Sequence, residues 1–346
     1  ACGTGFIAQI DGTRSHRTVA LAVEAVINLT HRGAVSADAA SGDGAGVTIQ
    51  IPYELLSEEA AKLGWTIERP QELAVAMVFL PSNESVRPRA RAVLEQACED
   101  SGLTVVGWRP VPHDPSVLGG EALETLPGIE QLLIVPNELR GADYDRALYL
   151  ARRRAEQAYR DEEINSYIVS MSAHTVVYKG LMVAPQLAEF FPDLGDSRTV
   201  SALALFHQRF ATNTLPTWEL AQPFRLVGHN GEINTLVGNR NWMAAREPEL
   251  TSALWGDQLA DLIPVIWPIG SDTASFDEAL DLLVASGRNL LHAMMMLIPE
   301  AWENMPNMDP ALRAFYEYSA CLSEPWDGPA AVVFTNGTIA AAVMDR

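Results

Sequence analysis

The sequence predicts a layered α+β fold with largely antiparallel sheets, and three observations carry that prediction. Short apolar runs of strand length recur between amphipathic stretches of helical period. An Asn336-Gly337 dipeptide separates two apolar runs within 329–344, the strongest short-range hairpin signal in the chain. No internal repeat or low-complexity linker interrupts the alternation. With 346 residues, 48% of them hydrophobic, the chain can bury one large core or two modest ones.

In chain order, residues 3–10 (GTGFIAQI) read as a short apolar strand and 18–30 as an amphipathic helix ending near Gly33. A loop of small residues, 33–46, contains Ser41-Gly42-Asp43-Gly44-Ala45-Gly46 and leads into a strand at 47–51. Strand-like runs follow at 73–80, 104–109, 131–135, 166–171 and 174–178; helices fit 54–63, 84–101 and 142–160. The last of these is rich in Arg, Ala and Glu, as a solvated helix surface should be. Residues 200–211 read as a strand running into a polar loop, and 222–243 hold a dense set of Gly, Asn, Arg and His. Helices fit 234–245, 273–286 and 309–320.

Composition removes several function classes. The formal charge is −20, from 24 basic and 44 acidic side chains. That lacks the basic footprint a nucleic-acid binder needs and opposes docking on an anionic membrane surface. No apolar run is long enough to span a bilayer, and Asp11, Arg14 and Arg17 arrive too early for a signal peptide. The three cysteines, at 2, 98 and 321, form no CxxC pair and no zinc-spaced cluster, so no metal site is expected. So sparse a count suits a reducing, cytoplasmic setting.

Four segments carry candidate chemistry. A Cys2 thiolate is a strong nucleophile, and the α-amine of an N-terminal residue can serve as its base; a buried structural cysteine and a lipid-modified one are the plain alternatives. Arg209, in His207-Gln208-Arg209-Phe210-Ala211-Thr212-Asn213, can offer a planar fork to a carboxylate, or simply form a surface ion pair. In His229-Asn230-Gly231-Glu232-Ile233-Asn234, a side-chain amide beside a glycine N–H supplies the parts of an oxyanion hole; the same stretch also reads as a turn before a helix capped by Asn234. Asp272, in Gly270-Ser271-Asp272-Thr273, can hold an ammonium group or serve as an N-cap for helix 273–286. His31-Arg32-Gly33 and Gly42–Gly46 are glycine-rich but lack the Gly-Lys-Ser/Thr of a phosphate loop.

Taken in order, Cys-Gly-x-Gly-Phe at the N-terminal end, His-Arg-Gly-Ala at 31–34, Gly-Asp-Gly-Ala-Gly at 42–46, Arg-Phe-Ala-Thr-Asn-Thr-Leu-Pro at 209–216, Gly-His-Asn-Gly-Glu-Ile-Asn-Thr at 228–235, Ser-Asp-Thr-Ala-Ser-Phe-Asp at 271–277 and Glu-Pro-Trp-Asp-Gly-Pro at 324–329 form an ordered set. The set resembles the amidotransferase domain of the glutamate synthase large subunit, a class II, N-terminal-nucleophile (Ntn) family, and covers essentially the whole chain. The resemblance implies a four-layer αββα sandwich. It implies Cys2 as nucleophile, the Asn230 side chain and Gly231 N–H as oxyanion donors, Arg209 on the glutamine carboxylate and Asp272 on its α-ammonium. Phe210 and Thr212 then line the glutamine pocket.

The activity implied is glutamine hydrolysis through a Cys2 thioester. The ammonia would feed glutamate synthesis from 2-oxoglutarate elsewhere in the polypeptide. No cofactor is expected in this chain; FMN and an iron–sulfur cluster are expected in the full-length protein. The expected partners are L-glutamine, the rest of the glutamate synthase polypeptide, and ferredoxin or another electron-donating subunit, with neither nucleic acid nor membrane. The chain 1–346 thus reads as one amidotransferase domain cut short at its C-terminal end. Ala1 precedes the residue whose free amine the mechanism needs, which leaves a catalytically silent glutamine-binding or assembly module as the alternative.

Overall fold

The computed structural model describes residues 3–35, 38, 40–208 and 216–344. Among these described residues eleven strands pair in three sheets, every pairing antiparallel. The first sheet has the order β1-β8-β2-β7, from β1 (Gly3–Ala8), β2 (Ala45–Gln50), β7 (Thr175–Gly180) and β8 (Leu203–Gln208). A second has the order β4-β5-β3-β6, from β3 (Ala74–Leu80), β4 (Leu103–Pro110), β5 (Gly128–Pro136) and β6 (Tyr167–Ser172). The third, β11-β10-β9, joins β9 (Val227–Gly231) to the hairpin of β10 (Ala330–Thr335) and β11 (Ala340–Met344).

Ten helices cover these sheets: α1 (His16–Asn28), α2 (Tyr53–Lys62), α3 (Arg87–Asp100), α4 (Gly120–Glu124), α5 (Ala142–Asp161), α6 (Gln186–Phe190), α7 (Leu236–Arg246), α8 (Asp272–Ala285), α9 (Leu290–Leu297) and α10 (Pro310–Ala320), counted among the described residues. Side-chain alternation fixes the layers. On the first sheet, Val47, Ile49, Ala204 and Phe206 join the core with Val19, Val23 and Val26 of α1. The opposite face meets the third sheet: a Cβ on Gly228 would lie 2.9 Å from Thr4 Oγ1 and 3.0 Å from Leu205 Cδ2. The far side of the third sheet buries Val332 and Phe334 against Phe276 and Leu280 of α8 and Ala293 of α9. Helix, sheet, sheet, helix is therefore the stacking order here, as the αββα expectation requires.

The β4-β5-β3-β6 sheet adds a flank that the four-layer expectation does not contain. Val75, Met77 and Phe79 enter the core shared with β2 and β7, while Ala74, Ala76, Val78 and Leu80 pack on α3 and α5. A strand buried on both faces reads as a continuous apolar run, and AVAMVFL is one.

Three sequence expectations are corrected. The 18–30 helix stops at Asn28, and a 3₁₀ turn, Thr30–Arg32, carries the chain to Gly33. Residues 227–231 form a strand instead of a turn, and the N-cap of α7 is Thr235, not Asn234, whose N–H is used at 2.8 Å by Asp327 O. The basic face of α5 is not solvated: Arg152 and Arg153 are 2% and 1% exposed. Arg152 pairs with Glu156 and Asp281, Arg153 with Glu156, and Arg225 with Glu156 and Asp277, so a balanced internal network of three cations and three carboxylates replaces water.

The hairpin is present, with Gly337 at φ +88 and the Asn336 carboxamide accepting from Thr338 N at 3.1 Å and Ile339 N at 3.0 Å. Its tip is pressed onto the β6–β7 turn. A Cβ on Gly337 would lie 2.9 Å from both His174 Cβ and Thr175 Cγ2, and Gln50 Nε2 donates to Gly337 O at 2.7 Å.

Lys179 on β7 is buried, donating from Nζ to Glu219 O at 2.7 Å and lying over the rings of Phe224 (4.6 Å) and Tyr167 (5.1 Å). Burial pushes its pKa down to about 7. Between that value and an unfolded value of about 10.4, the unfolded chain binds more protons than the folded one, so this group makes stability rise with pH. The stability of the parent minus that of Lys179→Met should therefore increase from pH 7 to pH 9, by at most about 1.4 kcal/mol per pH unit. Urea unfolding of both proteins at the two pH values measures it; a pH-independent difference would show that Lys179 keeps an ordinary pKa.

Candidate functional site

The site candidates gather where strand ends meet. β1 and β8 pair in register from Gly3↔Gln208 to Ala8↔Leu203, so the start of one lies beside the end of the other. Thr4 Oγ1 donates to Phe206 O at 3.0 Å across this pair. Above it runs β9, tied to β8 by His207, whose Nε2–H donates to His229 O at 2.8 Å. A carbonyl can only accept, so the His207 proton sits on Nε2. Alternation on β9 places Gly228 against Thr4 and sends the next residue, His229, the other way, toward α8. Asn230 returns to the Gly228 side and is half-buried.

Helix α8 holds β9 at both ends. Asp277 Oδ1 accepts from Leu226 N at 2.8 Å just before the strand, and Asp272 Oδ2 accepts from Ile233 N at 2.9 Å just after it. Asp277 is fully buried, and burial raises its pKa while Arg225 opposes the rise. Asp272 is 4% exposed, with Thr273 N donating to its Oδ1 at 2.7 Å and Thr273 Oγ1 donating at 3.2 Å. That hydroxyl has one proton, so the 2.8 Å contact between His229 Nδ1 and Thr273 Oγ1 must run from Nδ1–H. Burial lowers the His229 pKa, favouring the neutral ring. A relay results, from His229 through Thr273 to Asp272, with Gln222 holding His229 N at 2.8 Å from the side.

The segment after β9 interlocks with 324–329. Gly231 takes φ +124, and a Cβ there would lie 2.0 Å from Pro329 O. Across the contact Gly328 takes φ +158, and a Cβ there would lie 1.9 Å from Glu232 O. Asp327 closes the joint: its carbonyl accepts from Asn234 N at 2.8 Å and its N–H donates to Thr235 Oγ1 at 2.9 Å. Trp326 anchors this segment in the core, edge-on to Phe276 of α8 at 5.4 Å.

Of the residues singled out from sequence, Asn230, Gly231 and Asp272 are brought to this one corner. Cys2, Arg209, Phe210 and Thr212 lie outside the described residues. Asp272 is not the cap of α8; Ser271 is, its side chain accepting from Ala274 N at 3.1 Å, which leaves the Asp272 carboxylate facing β9. Sequence reasoning missed His229, Thr273 and Gln222, though His229 lies inside the Asn-Gly motif and could have been weighed as a polar core residue. The Gly42–Gly46 run serves close packing: a Cβ on Gly46 would lie 2.7 Å from Gln222 O. Among the described residues no group of three or more His, Cys, Asp or Glu could hold a metal, and no helix is long and apolar enough to cross a membrane.

The sequence that builds this corner, from strand ends of two facing sheets and the first turn of a helix behind them, matches a known family. The chain is a member of the glutamine amidotransferases class-II family, whose model matches residues 2–346. It is 45% identical over 350 residues to ferredoxin-dependent glutamate synthase 2 of Synechocystis sp., covering 100% of this chain and 22% of that protein. It is 42% identical over 352 residues to the ferredoxin-dependent glutamate synthase of Pyropia yezoensis, with 100% and 23% covered. Against the glutamate synthase [NADPH] large chain of Bacillus subtilis the identity is 40% over 348 residues, again with 100% and 23% covered. The chain thus spans less than a quarter of the length of these relatives.

The Gly231–Pro329 contact has a direct consequence. Gly231→Ala adds a methyl where no space exists, at a backbone conformation disfavoured for any L side chain. The variant should lose on the order of 1–3 kcal/mol of stability, read from its urea midpoint. A midpoint equal to the parent's would mean that the 231–329 contact is looser than described.

Proposed function

We propose that this chain hydrolyses L-glutamine to L-glutamate and ammonia through a thioester at Cys2, and that the ammonia feeds glutamate formation from 2-oxoglutarate in a longer glutamate synthase polypeptide. The observation that carries the reading is the convergence of Asn230, Gly231 and Asp272 beside the paired ends of β1 and β8. In sequence Cys2 directly precedes Gly3 and Arg209 directly follows Gln208, the two residues that pair at that end of β1 and β8. The proposed nucleophile and carboxylate clamp are thus sequence neighbours of one strand pair.

In this reading the free α-amine of Cys2 takes the thiol proton, and the active form is the one in which that amine is unblocked. The thiolate attacks the side-chain amide carbon of glutamine, forming a C–S bond and a tetrahedral oxyanion. Asn230 and the Gly231 N–H donate to that oxygen. Collapse breaks the C–N bond, the nitrogen leaves as ammonia with the proton held by the amine, and water hydrolyses the thioester to glutamate. Arg209 holds the substrate carboxylate, Asp272 its α-ammonium, and Phe210 and Thr212 line the pocket. FMN, an iron–sulfur cluster and the electron donor belong to the rest of the polypeptide and its partners. The relatives' names include both ferredoxin-dependent and nicotinamide-nucleotide enzymes.

A diazoketone analogue of glutamine tests the nucleophile. It should label Cys2 and spare Cys98, which is 0% exposed and whose thiol burial pushes up to about 12. It should also spare Cys321, which is exposed but belongs to none of the ordered motifs. Equal labelling of Cys321, or labelling that excess glutamine does not suppress, would overturn the assignment. Asn230→Ala should lower turnover about a hundred- to a thousandfold with a much smaller change in glutamine KM. A KM effect with unchanged kcat would make Asn230 a pocket residue instead. Arg209→Lys should weaken glutamine binding by roughly 1–3 kcal/mol, because the charge survives and the fork does not; an unchanged KM would remove Arg209 from the substrate site.

A further inference from the structure

We propose that Arg240 is a positioning residue that sets how strongly the protein holds the α-ammonium end of glutamine, acting through Asp272. The inference rests on the assignment of Asp272 made above and extends it to a residue that no motif reading touched.

Arg240 lies on α7, half-buried, and each of its described hydrogen bonds goes to the approach and first turn of α8. Nη1 donates to Pro268 O at 3.1 Å. Nη2 donates to Gly270 O at 3.0 Å, Ser271 O at 3.5 Å and Ser275 Oγ at 2.8 Å. Nε donates to the same Ser275 Oγ at 3.0 Å. One guanidinium thus gathers three carbonyls and a hydroxyl from 268–275, the segment that carries Asp272. A planar fork with five donors can do this; an ammonium on a flexible stem cannot reproduce it.

The segment needs such a fastening. Gly270 takes φ +136, so the turn into α8 runs through a residue with no side chain to fix it. Three carbonyls converging on one point repel each other unless a donor fills the space between them. Ser271 fastens only the inside of the turn, by capping Ala274 N. The Asp272 carboxylate must then present itself to a ligand while its oxygens also accept from Ile233 N and Thr273 N. Small changes in the 270–273 backbone would swing it away from the mouth of the site while leaving the helix intact. Arg240 is also close enough to Asp272 and Glu278 for their charges to favour its ionised form, against the lowering of its pKa by burial.

The consequence is specific to one end of the substrate. Loss of Arg240 should weaken the grip of Asp272 on a substrate ammonium and leave the amide end alone, because β9 stays paired with β10 and tied by Asp277. The test compares L-glutamine with 4-carbamoylbutanoate, which is glutamine without its α-amine, in the full-length polypeptide. For Arg240→Met, KM for glutamine should rise about tenfold or more, the scale of a weakened charged hydrogen bond. Saturating kcat, and the Ki of the des-amino compound as a competitive inhibitor, should stay within about twofold. Asp272→Asn, whose remaining carboxamide oxygen can still accept from Ile233 N, should raise the glutamine KM relative to the Ki of the des-amino compound in the same way, and the double variant should be no worse than Asp272→Asn alone. Arg240→Lys should fall between, and it decides the question if Arg240→Met does not fold.

An equal loss for both ligands, or a fall in kcat alone, would make Arg240 a general structural residue and overturn the proposal. Unchanged constants would do the same. If Asp272→Asn discriminates between the ligands and neither Arg240 variant does, the role of Arg240 fails while that of Asp272 stands. If Asp272→Asn fails to discriminate, the Asp272 assignment fails and takes this proposal with it.

Discussion

The site depends on two carboxylates of one helix. Asp277 and Asp272 project from α8 and accept backbone N–H groups on either side of β9, from Leu226 and Ile233. Hydrogen bonds to ionised acceptors each contribute roughly 1.5–3 kcal/mol, and here both act on a strand of five residues. A short strand with glycines at 228 and 231 has little intrinsic preference for the extended state. Its position is imposed from outside, by β10 along one edge and by the helix through its two ends. Asn230 and Gly231 lie between the ties, so their placement is inherited from α8.

Behind that helix lies a second constraint. Arg152, Arg153 and Arg225 face Glu156, Asp277 and Asp281 in the interior, linking α5 to α8 and to the entry of β9. Such a network contributes little net stability against a well-packed apolar alternative. It does penalise any arrangement that separates one partner from the rest, because a lone buried charge is far more costly than a pair. Asp277 belongs both to this network and to the β9 clamp, so the packing of α5 and the register of β9 are coupled through one side chain.

Much of the architecture was legible in the residues. Strands and helices with clean apolar periods, such as 73–80 and 54–63, form within one or two residues of their expected limits. β9 was not legible: Gly-His-Asn-Gly carries no apolar alternation, and its partner β10 lies about a hundred residues away in sequence. The burial of Arg152 and Arg153 was hidden for a related reason. A basic helix face looks the same in sequence whether it meets water or carboxylates from distant segments. At the site, residue types were readable and partners were not. Asp272 was recognisable as a carboxylate at a helix start, but only the fold shows that Ser271 takes the capping role and turns Asp272 toward the strand. Arg240, seven residues beyond Ile233, gave no signal at all, since every one of its acceptors is neutral.

The β10–β11 hairpin has a bearing on how the molecule tolerates change. Loop tips with small polar residues are ordinarily where chains accept insertions, tags and new termini, and Asn336-Gly337-Thr338 has that composition. In this fold the tip is a rivet. Gly337 lies flat on His174 and Thr175, and the Gln50 carboxamide holds its carbonyl from the first sheet. A lengthened loop would lift the hairpin off that seat and pull on β10, whose other edge is the partner of β9. Grafts and circular permutations that begin here should therefore register at the far end of the sheet, in the alignment of Asn230.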